Sequence, residues 1–254
     1  MTSHRHERVG FQGSHGRLTG TLHIPDGEIR GGVVLAHCFT CSRSLKITRN
    51  LATGIEDGGY AVLRFDFTGL GDSEGDFGTT SVTTNVADVE AAAHYMLRRD
   101  FGLAAMVGHS LGGAATLLAA GNVTEARAVV AVAAPSGPNH VRHLFDEKDV
   151  QAAMDSGRAR VKIADRSFEI SAEFFHDLEQ HCTPERIASL DRPLLVVHGT
   201  ADKTVDIEEG ERIFDAARQP RWFSAIPGAD HMFAQPRHSE QAARAIVTFL
   251  DSVL

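Results

Sequence analysis

Gly108-His109-Ser110-Leu111-Gly112-Gly113 is the segment from which the architecture of this chain can be predicted. A short apolar run at 104–107 precedes it, as in a buried strand, and the run at 114–120 that follows is rich in helix-forming residues. A G-x-S-x-G sequence between a strand and a helix predicts a sharp turn that exposes the serine hydroxyl. We therefore take Ser110 as a candidate nucleophile. The alternative is a glycine-rich turn that binds phosphate or only connects two elements.

Apolar runs alternate with helical patterns along most of the chain. Strands that are buried on both faces are continuously apolar, and such runs occupy 33–36, 61–65, 104–107, 128–132, 194–197 and 222–226. Helical periodicity separates them at 45–57, 82–99, 207–217 and 238–250. An alternating pattern at 9–24 predicts an opening antiparallel hairpin. Together these patterns predict an α/β fold with a mostly parallel, doubly wound sheet.

The length of 254 residues is near the upper limit for one hydrophobic core, so we predict a single α/β domain over 1–254. The alternation of strands and helices is interrupted between Pro135 and Pro193. A structureless loop of this length would be unusual in a compact domain. We predict that 135–192 forms a small cap or lid insertion, with a hairpin at 158–170 and a helix at 172–180.

Charge and composition limit the classes of partner. The net charge is −8 and the pI about 5.9, which argues against a nucleic-acid or an anionic membrane surface as a partner. No apolar run reaches the roughly 18 residues of a membrane span, and the first residues lack the apolar core of a signal peptide. Three cysteines do not make a disulfide framework. We expect a reduced, cytoplasmic protein with a small-molecule substrate; the oligomeric state stays open, with a homodimer one possibility.

A serine nucleophile needs a base to take its proton and a carboxylate to hold that base. Asp202 follows the strand predicted at 194–197, and His231 follows the strand predicted at 222–226. The carboxyl ends of parallel strands lie at one edge of the sheet, where the sites of open α/β sheets form. The chain order of serine, acid and histidine is that of one known triad arrangement. We predict that Ser110, Asp202 and His231 are catalytic.

Two other carboxylates compete with Asp202 for contact with His231. Asp206 is expected to begin the following helix, where the helix dipole favours a carboxylate. Asp230 adjoins His231, and consecutive side chains point apart. Among the remaining histidines, His140 with His143 and His176 with His181 have no carboxylate pattern that predicts zinc, so we expect them on the solvated surface.

Acyl transfer also requires donors for the negative oxygen of its intermediate. The backbone N–H of Leu111, directly after Ser110, is one candidate donor. The loop His37-Cys38-Phe39-Thr40-Cys41-Ser42 follows the first buried strand, and the N–H of Phe39 is the second candidate. For contacts to the substrate we expect four side chains near the predicted turn and loops, namely His37, Cys38, His109 and Phe175.

Cys38 and Cys41 form a C-x-x-C pair, which is compatible with a redox or a metal role. A redox pair would be expected at the start of a helix, and a zinc site would need two more ligands, whereas Cys182 is the only other cysteine. We favour two small side chains that pack beneath the loop. The glycine-rich segment 65–75 lacks the Lys-Ser/Thr of a phosphate loop, and we expect Asp66 to accept hydrogen bonds from its backbone.

With these motifs in place, the whole chain resembles the α/β-hydrolase superfamily. The resemblance covers the oxyanion loop at 37–40, the loop at 66–73, the elbow at 108–113, the acid loop at 198–202 and the histidine loop at 228–231. The segments 37–42 and 65–71 look like the hydrolase module that bacteria fuse to a peroxide-stress domain of the osmotically inducible family. The length, triad and cap position resemble bacterial cinnamoyl and feruloyl esterases. Cys38 stands where the superfamily usually has glycine.

The resemblance implies a serine hydrolase without cofactor or metal that cleaves small to medium acyl or aryl carboxylic esters through an acyl-enzyme. A thioesterase, an amidase or a C–C bond hydrolase of the same fold stays open, because the triad does not separate them. A non-catalytic member of the fold and a thiol redox protein that uses Cys38 and Cys41 are the alternatives from other classes. A dehalogenase or epoxide hydrolase is disfavoured, since these would carry aspartate in place of Ser110.

Overall fold

The structure is a computed structural model that describes residues 5–163, 166–181 and 183–254. The predicted apolar runs are its central strands, and the hairpin predicted at the start of the chain is confirmed. The strands of the described residues are, in chain order, β1 (Arg5–Gly13), β2 (Gly16–Ile24), β3 (Gly32–Ala36), β4 (Ala61–Phe65), β5 (Leu103–His109), β6 (Ala128–Val132), β7 (Arg158–Ile163), β8 (Arg166–Ser171), β9 (Leu194–Gly199) and β10 (Arg221–Ile226).

Eight of these strands form one sheet in the order β1-β2-β4-β3-β5-β6-β9-β10. The pairs β1–β2 and β2–β4 are antiparallel, and the five pairs from β4–β3 to β9–β10 are parallel. The predicted mostly parallel sheet with an antiparallel start is therefore confirmed. All parallel strands end at the same edge, so the loops that follow β3, β5, β9 and β10 meet there.

Helices cover both faces of the sheet, which is why the strands are continuously apolar. The helices of the described residues are α1 (Lys46–Asp57), α2 (Val82–Leu97), α3 (Leu111–Ala119), α4 (Glu147–Ser156), α5 (Ala172–Gln180), α6 (Thr183–Ser189), α7 (Ile207–Ala216) and α8 (Pro236–Val253). In β3, Val33 and Leu35 pack into the core beneath α1 and α8, while Val34 points into the core beneath α2, α3 and α7. None of the helices in the described ranges has both the length and the apolar composition of a membrane span.

The segment between β6 and β9 contains a 3₁₀ helix (Pro138–Leu144), α4, the β7–β8 hairpin, α5 and α6. The hairpin and α5 were predicted; residues 164–165 of that predicted hairpin lie outside the described residues. An apolar cluster joins this segment to α3, and it contains Phe145, Phe174 and Phe175 together with Leu111 and Leu118. The hydrophobic pattern of the sequence did not predict α4, because only Val150 and Ala153 of its ten residues are buried.

The turn from β5 to α3 depends on a close approach of backbones at Gly112. A Cβ on this residue would lie 2.2 Å from the carbonyl oxygen of His37, in the loop after β3. A Cβ on Gly108 would in turn lie 2.3 Å from the carbonyl oxygen of Gly112. The first turn of α3 therefore packs directly on the ends of β3 and β5, and the two glycines make this possible.

We expect Gly112→Ala to lower the free energy of unfolding by about 1–3 kcal/mol, because the new methyl group forces backbone shifts in a packed region. Gly121→Ala is the matched control, since its Cβ would meet Leu118 O at 3.5 Å, an ordinary contact. Urea unfolding of both variants measures the difference. Equal unfolding midpoints for the two variants would show that the approach of α3 to β3 is not constrained at Gly112.

Candidate active site

Ser110 lies at the tip of the turn between β5 and α3. Its backbone has φ 57° and ψ −128°, a conformation that side-chain-bearing residues rarely adopt. Hydrogen bonds hold the turn on both sides, from Ser110 N to Val132 O at 2.9 Å and from Gly113 N to Ser110 O at 2.8 Å. The strained strand-to-helix turn predicted from the sequence is therefore present.

The structure brings Ser110, His231 and Asp202 together in one chain of hydrogen bonds. His231 Nε2 lies 3.0 Å from Ser110 Oγ, and His231 Nδ1 lies 2.8 Å from Asp202 Oδ2. Because the carboxylate can only accept, Nδ1 carries the proton of the neutral ring and Nε2 is free to accept from the serine hydroxyl. The arrangement has the geometry of a nucleophile, a base and a group that orients the base.

Asp202 is held as a carboxylate by its surroundings. Its Oδ1 accepts hydrogen bonds from the backbone N–H groups of Thr204, at 2.9 Å, and Val205, at 3.0 Å. Burial alone would raise the pKa of Asp202, but the hydrogen bond from His231 and these two amides hold the pKa below its ordinary value. An ionised Asp202 is what the orientation of His231 requires.

The competing carboxylates lie elsewhere, for the reasons the sequence indicated. Asp206 directly precedes α7. Asp230 accepts a hydrogen bond from Ala234 N at 2.9 Å and so closes the turn that carries His231. Asp202 is therefore the carboxylate that contacts the ring of His231.

Phe39 and Leu111, the two residues expected to supply backbone donors, line a cavity together with Ser110. The cavity has a volume of about 30 Å³. Its remaining walls are Pro135, His140, Val141, His143, Leu144, Thr204 and Val205. The space in front of Ser110 is therefore narrow and mostly apolar, and the 3₁₀ helix covers it.

His140 and His143 line the cavity at Ser110, a placement that the sequence did not reveal. His143 is exposed, as expected, and His140 is partly buried; their ring centroids lie 4.4 Å apart. His140 Nε2–H donates to Thr204 O at 3.0 Å, which ties the 3₁₀ helix to the loop that carries Asp202. No local pattern marks this contact, because it depends on how the inserted segment folds back over the sheet.

Four side chains expected to touch the substrate do not line the cavity at Ser110. His37 and His109 are almost completely buried, and Phe175 packs between Phe145 and Phe174 in the apolar cluster. Cys38 is also buried. For His109 the cause is its place directly before Ser110 at the end of β5, because successive side chains of a strand point to opposite faces. Phe175 instead belongs to the apolar cluster of the inserted segment.

Three buried histidines, His37, His109 and His198, contact the backbone of the site loops as neutral imidazoles. His37 Nδ1–H donates to Cys38 O at 2.8 Å, His109 Nε2–H donates to His231 O at 2.9 Å, and His198 Nε2–H donates to Val205 O at 2.9 Å. Burial lowers the pKa of all three and takes the pKa of His109 to about 3. Each ring therefore holds the backbone of one loop without bringing a charge into the core.

The C-x-x-C pair forms a disulfide between Cys38 and Cys41. This corrects the expectation of two reduced side chains that only pack beneath the loop. Cys41 N–H donates to Cys38 O at 3.2 Å, and this turn brings the two Cα atoms to 5.4 Å, within the range that a disulfide spans. The small number of cysteines was a poor argument against a bridge, because a tight turn alone can place such a pair.

Asp66 accepts backbone hydrogen bonds, as expected for the glycine-rich segment after β4. Its carboxylate accepts from Arg43 N at 2.6 Å and from Asp72 N at 2.9 Å, and it also pairs with the Arg43 guanidinium. Arg43 also donates to Asp72 Oδ2 at 2.7 Å. This buried ion pair joins the loop after β3 to the loop after β4 and so supports the floor of the site.

His6, His23 and Glu56 are the one group of metal-ligating atoms that we find close together among the described residues. Arg64 Nε–H donates to His23 Nε2 at 2.8 Å, so the ring proton is on Nδ1 and faces Glu56 Oε2 at 2.9 Å. If a cation bound Nδ1, the ring proton of His23 would have to move to Nε2. Nε2 already accepts the hydrogen bond from Arg64 Nε–H, so it cannot carry that proton. The geometry of these side chains therefore favours a polar contact between β2 and α1 over a metal site.

A model of the "Alpha/beta hydrolase family" matches residues 33–245 of the chain. The curated relative from Salmonella typhi, the "Uncharacterized protein YfhR", is 28% identical over 197 residues, which cover 75% of this chain and 61% of that protein. The chain thus spans about three-fifths of the length of this relative.

Two solved structures share the fold along almost the whole chain. The esterase domain of a Rhodothermus marinus protein is 33% identical, has a TM-score of 0.76, and the match covers 96% of this chain and 97% of that domain. Est1E from Butyrivibrio proteoclasticus, solved with ferulic acid bound, is 21% identical with a TM-score of 0.83, covering 96% of this chain and 98% of Est1E.

The buried neutral histidines predict a loss of stability in acid. In the unfolded chain His109 takes up a proton below about pH 6.5, but in the folded protein only near pH 3. Its contribution to the free energy of unfolding is therefore complete above pH 6.5 and is lost as the pH falls from 6.5 toward 3. We expect His109→Gln to remove about 1.4 kcal/mol per pH unit from the slope of this free energy near pH 5.

Urea unfolding at pH 7, 6 and 5 measures the slope. His94→Gln is the matched control, because His94 is exposed on α2 and its replacement leaves the buried rings in place. A His109→Gln slope that equals the slope of the wild type would mean that the ring of His109 already titrates normally in the folded protein.

Proposed function

Because the chain belongs to the α/β hydrolase family, we propose that it is a serine hydrolase that cleaves carboxylic esters through an acyl-enzyme. The observation that carries this proposal is the hydrogen-bond chain from Ser110 through His231 to Asp202. The esterase domain that resembles this chain over almost its full length supports the same reaction class. No cofactor is needed for this chemistry.

In the proposed first step, His231 Nε2 removes the proton of Ser110 as Oγ attacks the ester carbonyl carbon. The carbonyl oxygen becomes an oxyanion, and the backbone N–H groups of Phe39 and Leu111 stabilise it. His231 then gives its proton to the leaving alcohol, and the acyl group remains on Ser110. Water repeats the sequence with His231 as base, which releases the acid and restores the serine.

Asp202 supports both steps without taking the proton itself. Its carboxylate keeps the Nδ1–H tautomer of His231, so that Nε2 faces Ser110 Oγ as an acceptor. It also stabilises the imidazolium that forms when the serine proton arrives. His109 holds the backbone of His231 from below and stays neutral, which leaves His231 as the ring that changes charge.

The inserted segment between β6 and β9 is, in this proposal, the lid that selects the acyl group. The 3₁₀ helix supplies four of the residues that line the cavity beside Ser110, so an acyl group bound there would contact this helix. Val141 and Leu144 from this helix give the cavity an apolar wall. We therefore place the preference for acyl size in the 3₁₀ helix rather than in the sheet.

We expect Ser110→Ala to lower kcat for nitrophenyl acetate by at least about 10³-fold and to abolish labelling by a fluorophosphonate, since the nucleophile is gone. Asp202→Asn should lower kcat by up to about 10⁴-fold, because the amide favours the wrong tautomer of His231. Steady-state kinetics and probe labelling measure both effects.

Asp206→Asn is the matched control for Asp202→Asn, because it makes the same change four residues away at the start of α7. The proposal fails if wild-type protein is not labelled, or if Ser110→Ala turns over the ester as fast as the wild type. A panel with thioesters and anilides beside esters identifies the bond that this site cleaves best. A preference for either of the other bonds would overturn the ester assignment while leaving the triad in place.

We expect Leu144→Ala to shift the acyl-length profile toward longer chains, because it removes a large side chain from the cavity wall. Nitrophenyl esters of increasing chain length give kcat/KM for each acyl group. Met154→Ala, an exposed apolar residue on α4 in the same insertion, is the control that should leave the profile unchanged. The same profile for both variants would remove the 3₁₀ helix from acyl selection.

A further inference from the structure

The C-x-x-C disulfide lies in the loop between β3 and α1 that carries the candidate oxyanion donor. Cys38 and Cys41 are bridged, and Phe39 is one of the two residues enclosed by the bridge. Phe39 also lines the cavity at Ser110. The position of the Phe39 backbone N–H, on which the proposed function depends, is therefore tied to the geometry of the bridged turn.

Both ends of this loop are anchored to the body of the protein. On the β3 side, Phe67 N–H donates to His37 Nε2 at 3.3 Å. On the α1 side, Arg43 N–H donates to Asp66, and Arg64 donates to Arg43 O at 2.6 Å. These contacts do not involve the two sulfurs, so they do not require the bridge.

Between the anchors, the turn is held by the bridge and by a few polar contacts, which include the hydrogen bond from His37 Nδ1–H to Cys38 O. Cys41 N–H donates to Cys38 O within the turn, and Arg166 of β8 donates to Thr40 O at 3.0 Å from the inserted segment. Thr40 itself has φ 56°. A β-branched residue at positive φ is strained and keeps this conformation only where its surroundings impose it.

The two sulfurs differ in access. Cys38 is buried, with 5% of its surface exposed, whereas Cys41 is only partly buried. An incoming thiolate therefore reaches Cys41 Sγ first, and Cys38 is the leaving group. This order of attack is the usual one for a disulfide with one accessible sulfur.

We propose that the Cys38–Cys41 disulfide is a thiol–disulfide exchange site whose redox state sets the position of the Phe39 oxyanion donor. One thiolate of a dithiol reductant attacks Cys41 Sγ, the S–S bond breaks, and Cys38 leaves as a thiolate. The second thiolate of the reductant then attacks the mixed disulfide, which frees Cys41 and leaves the reductant as a disulfide. The protein gains two electrons, and the dithiol loses them.

Opening the bridge releases the strained turn while its anchors remain. Thr40 relaxes to negative φ, and the Phe39 N–H moves away from the position that the oxyanion occupies. The ring of Phe39, stacked on Phe174 at a centroid distance of 5.5 Å, transmits the change to the apolar cluster of the insertion. The reduced protein therefore keeps the hydrogen-bond chain of Ser110, His231 and Asp202 but loses one of its two oxyanion donors.

The inference rests on the proposed function, and its test separates the two. Air-oxidised protein is assayed with nitrophenyl acetate before and after complete reduction by dithiothreitol, with free thiols counted in each state. We expect two additional thiols, a fall in kcat of about 10²–10³-fold as for loss of one oxyanion donor, and a nearly unchanged KM. Reoxidation by a disulfide oxidant should restore kcat.

Three variants sharpen the result. Cys38→Ser with Cys41→Ser should show the reduced-state kcat and no response to dithiothreitol. Thr40→Gly, which adopts positive φ without strain, should lose less activity on reduction than the wild type. Cys182→Ser keeps the pair intact and should respond as the wild type does. If the double variant does not fold, the reversible reduction of the wild type, followed by circular dichroism, still gives the answer.

The inference is overturned if kcat is unchanged after two thiols have been released, or if protein purified without oxygen has both thiols free and full activity. A different outcome identifies failure of the proposed function instead. In that case the oxidised protein neither reacts with a fluorophosphonate at Ser110 nor cleaves any ester, whatever the state of the disulfide.

Discussion

The site depends first on the backbone of Ser110, which is held at positive φ where β5 turns into α3. In this conformation Ser110 Oγ lies 3.0 Å from His231 Nε2, and Ser110 and Leu111 line the same cavity. The conformation is possible only because Gly108 and Gly112 allow the strand end, the first turn of α3 and the loop after β3 to touch. The candidate nucleophile and both candidate oxyanion donors are thus set by one crowded junction.

The parallel strands then bring the remaining residues to this junction. Asp202 and His231 follow the neighbouring strands β9 and β10, and β6 alone separates β9 from β5. The loop that carries His231 is nevertheless tied to β5. His109, at the end of β5, donates a hydrogen bond to the carbonyl oxygen of His231. Buried imidazoles suit this task, because a neutral ring can hold a backbone group in the core without the cost of a buried charge.

The inserted segment and the bridged loop together cover this junction. His140 joins the 3₁₀ helix to the acid loop, Arg166 joins the β7–β8 hairpin to the loop after β3, and Phe39 stacks within the apolar cluster of the insertion. A change in the conformation of the inserted segment therefore alters contacts of the bridged loop, and the reverse is also true. The proposed acyl selection by the insertion and the proposed placement of the Phe39 donor by the disulfide therefore depend on the same set of contacts.

The parallel sheet could be predicted from the residue pattern alone, because strands that are buried on both faces must be continuously apolar. The meeting of Ser110, Asp202 and His231 at one edge of the sheet could be predicted for a related reason, because residues that follow parallel strands share that edge. Three features became visible only in the folded chain: His140 and His143 line the cavity at Ser110, His37 and His109 donate to the backbone of loops, and Cys38 bonds to Cys41. These outcomes depend on how side chains and an irregular insertion pack in three dimensions. The hydrophobic periodicity of a sequence does not predict such contacts, because it indicates only which face of a helix or strand is buried.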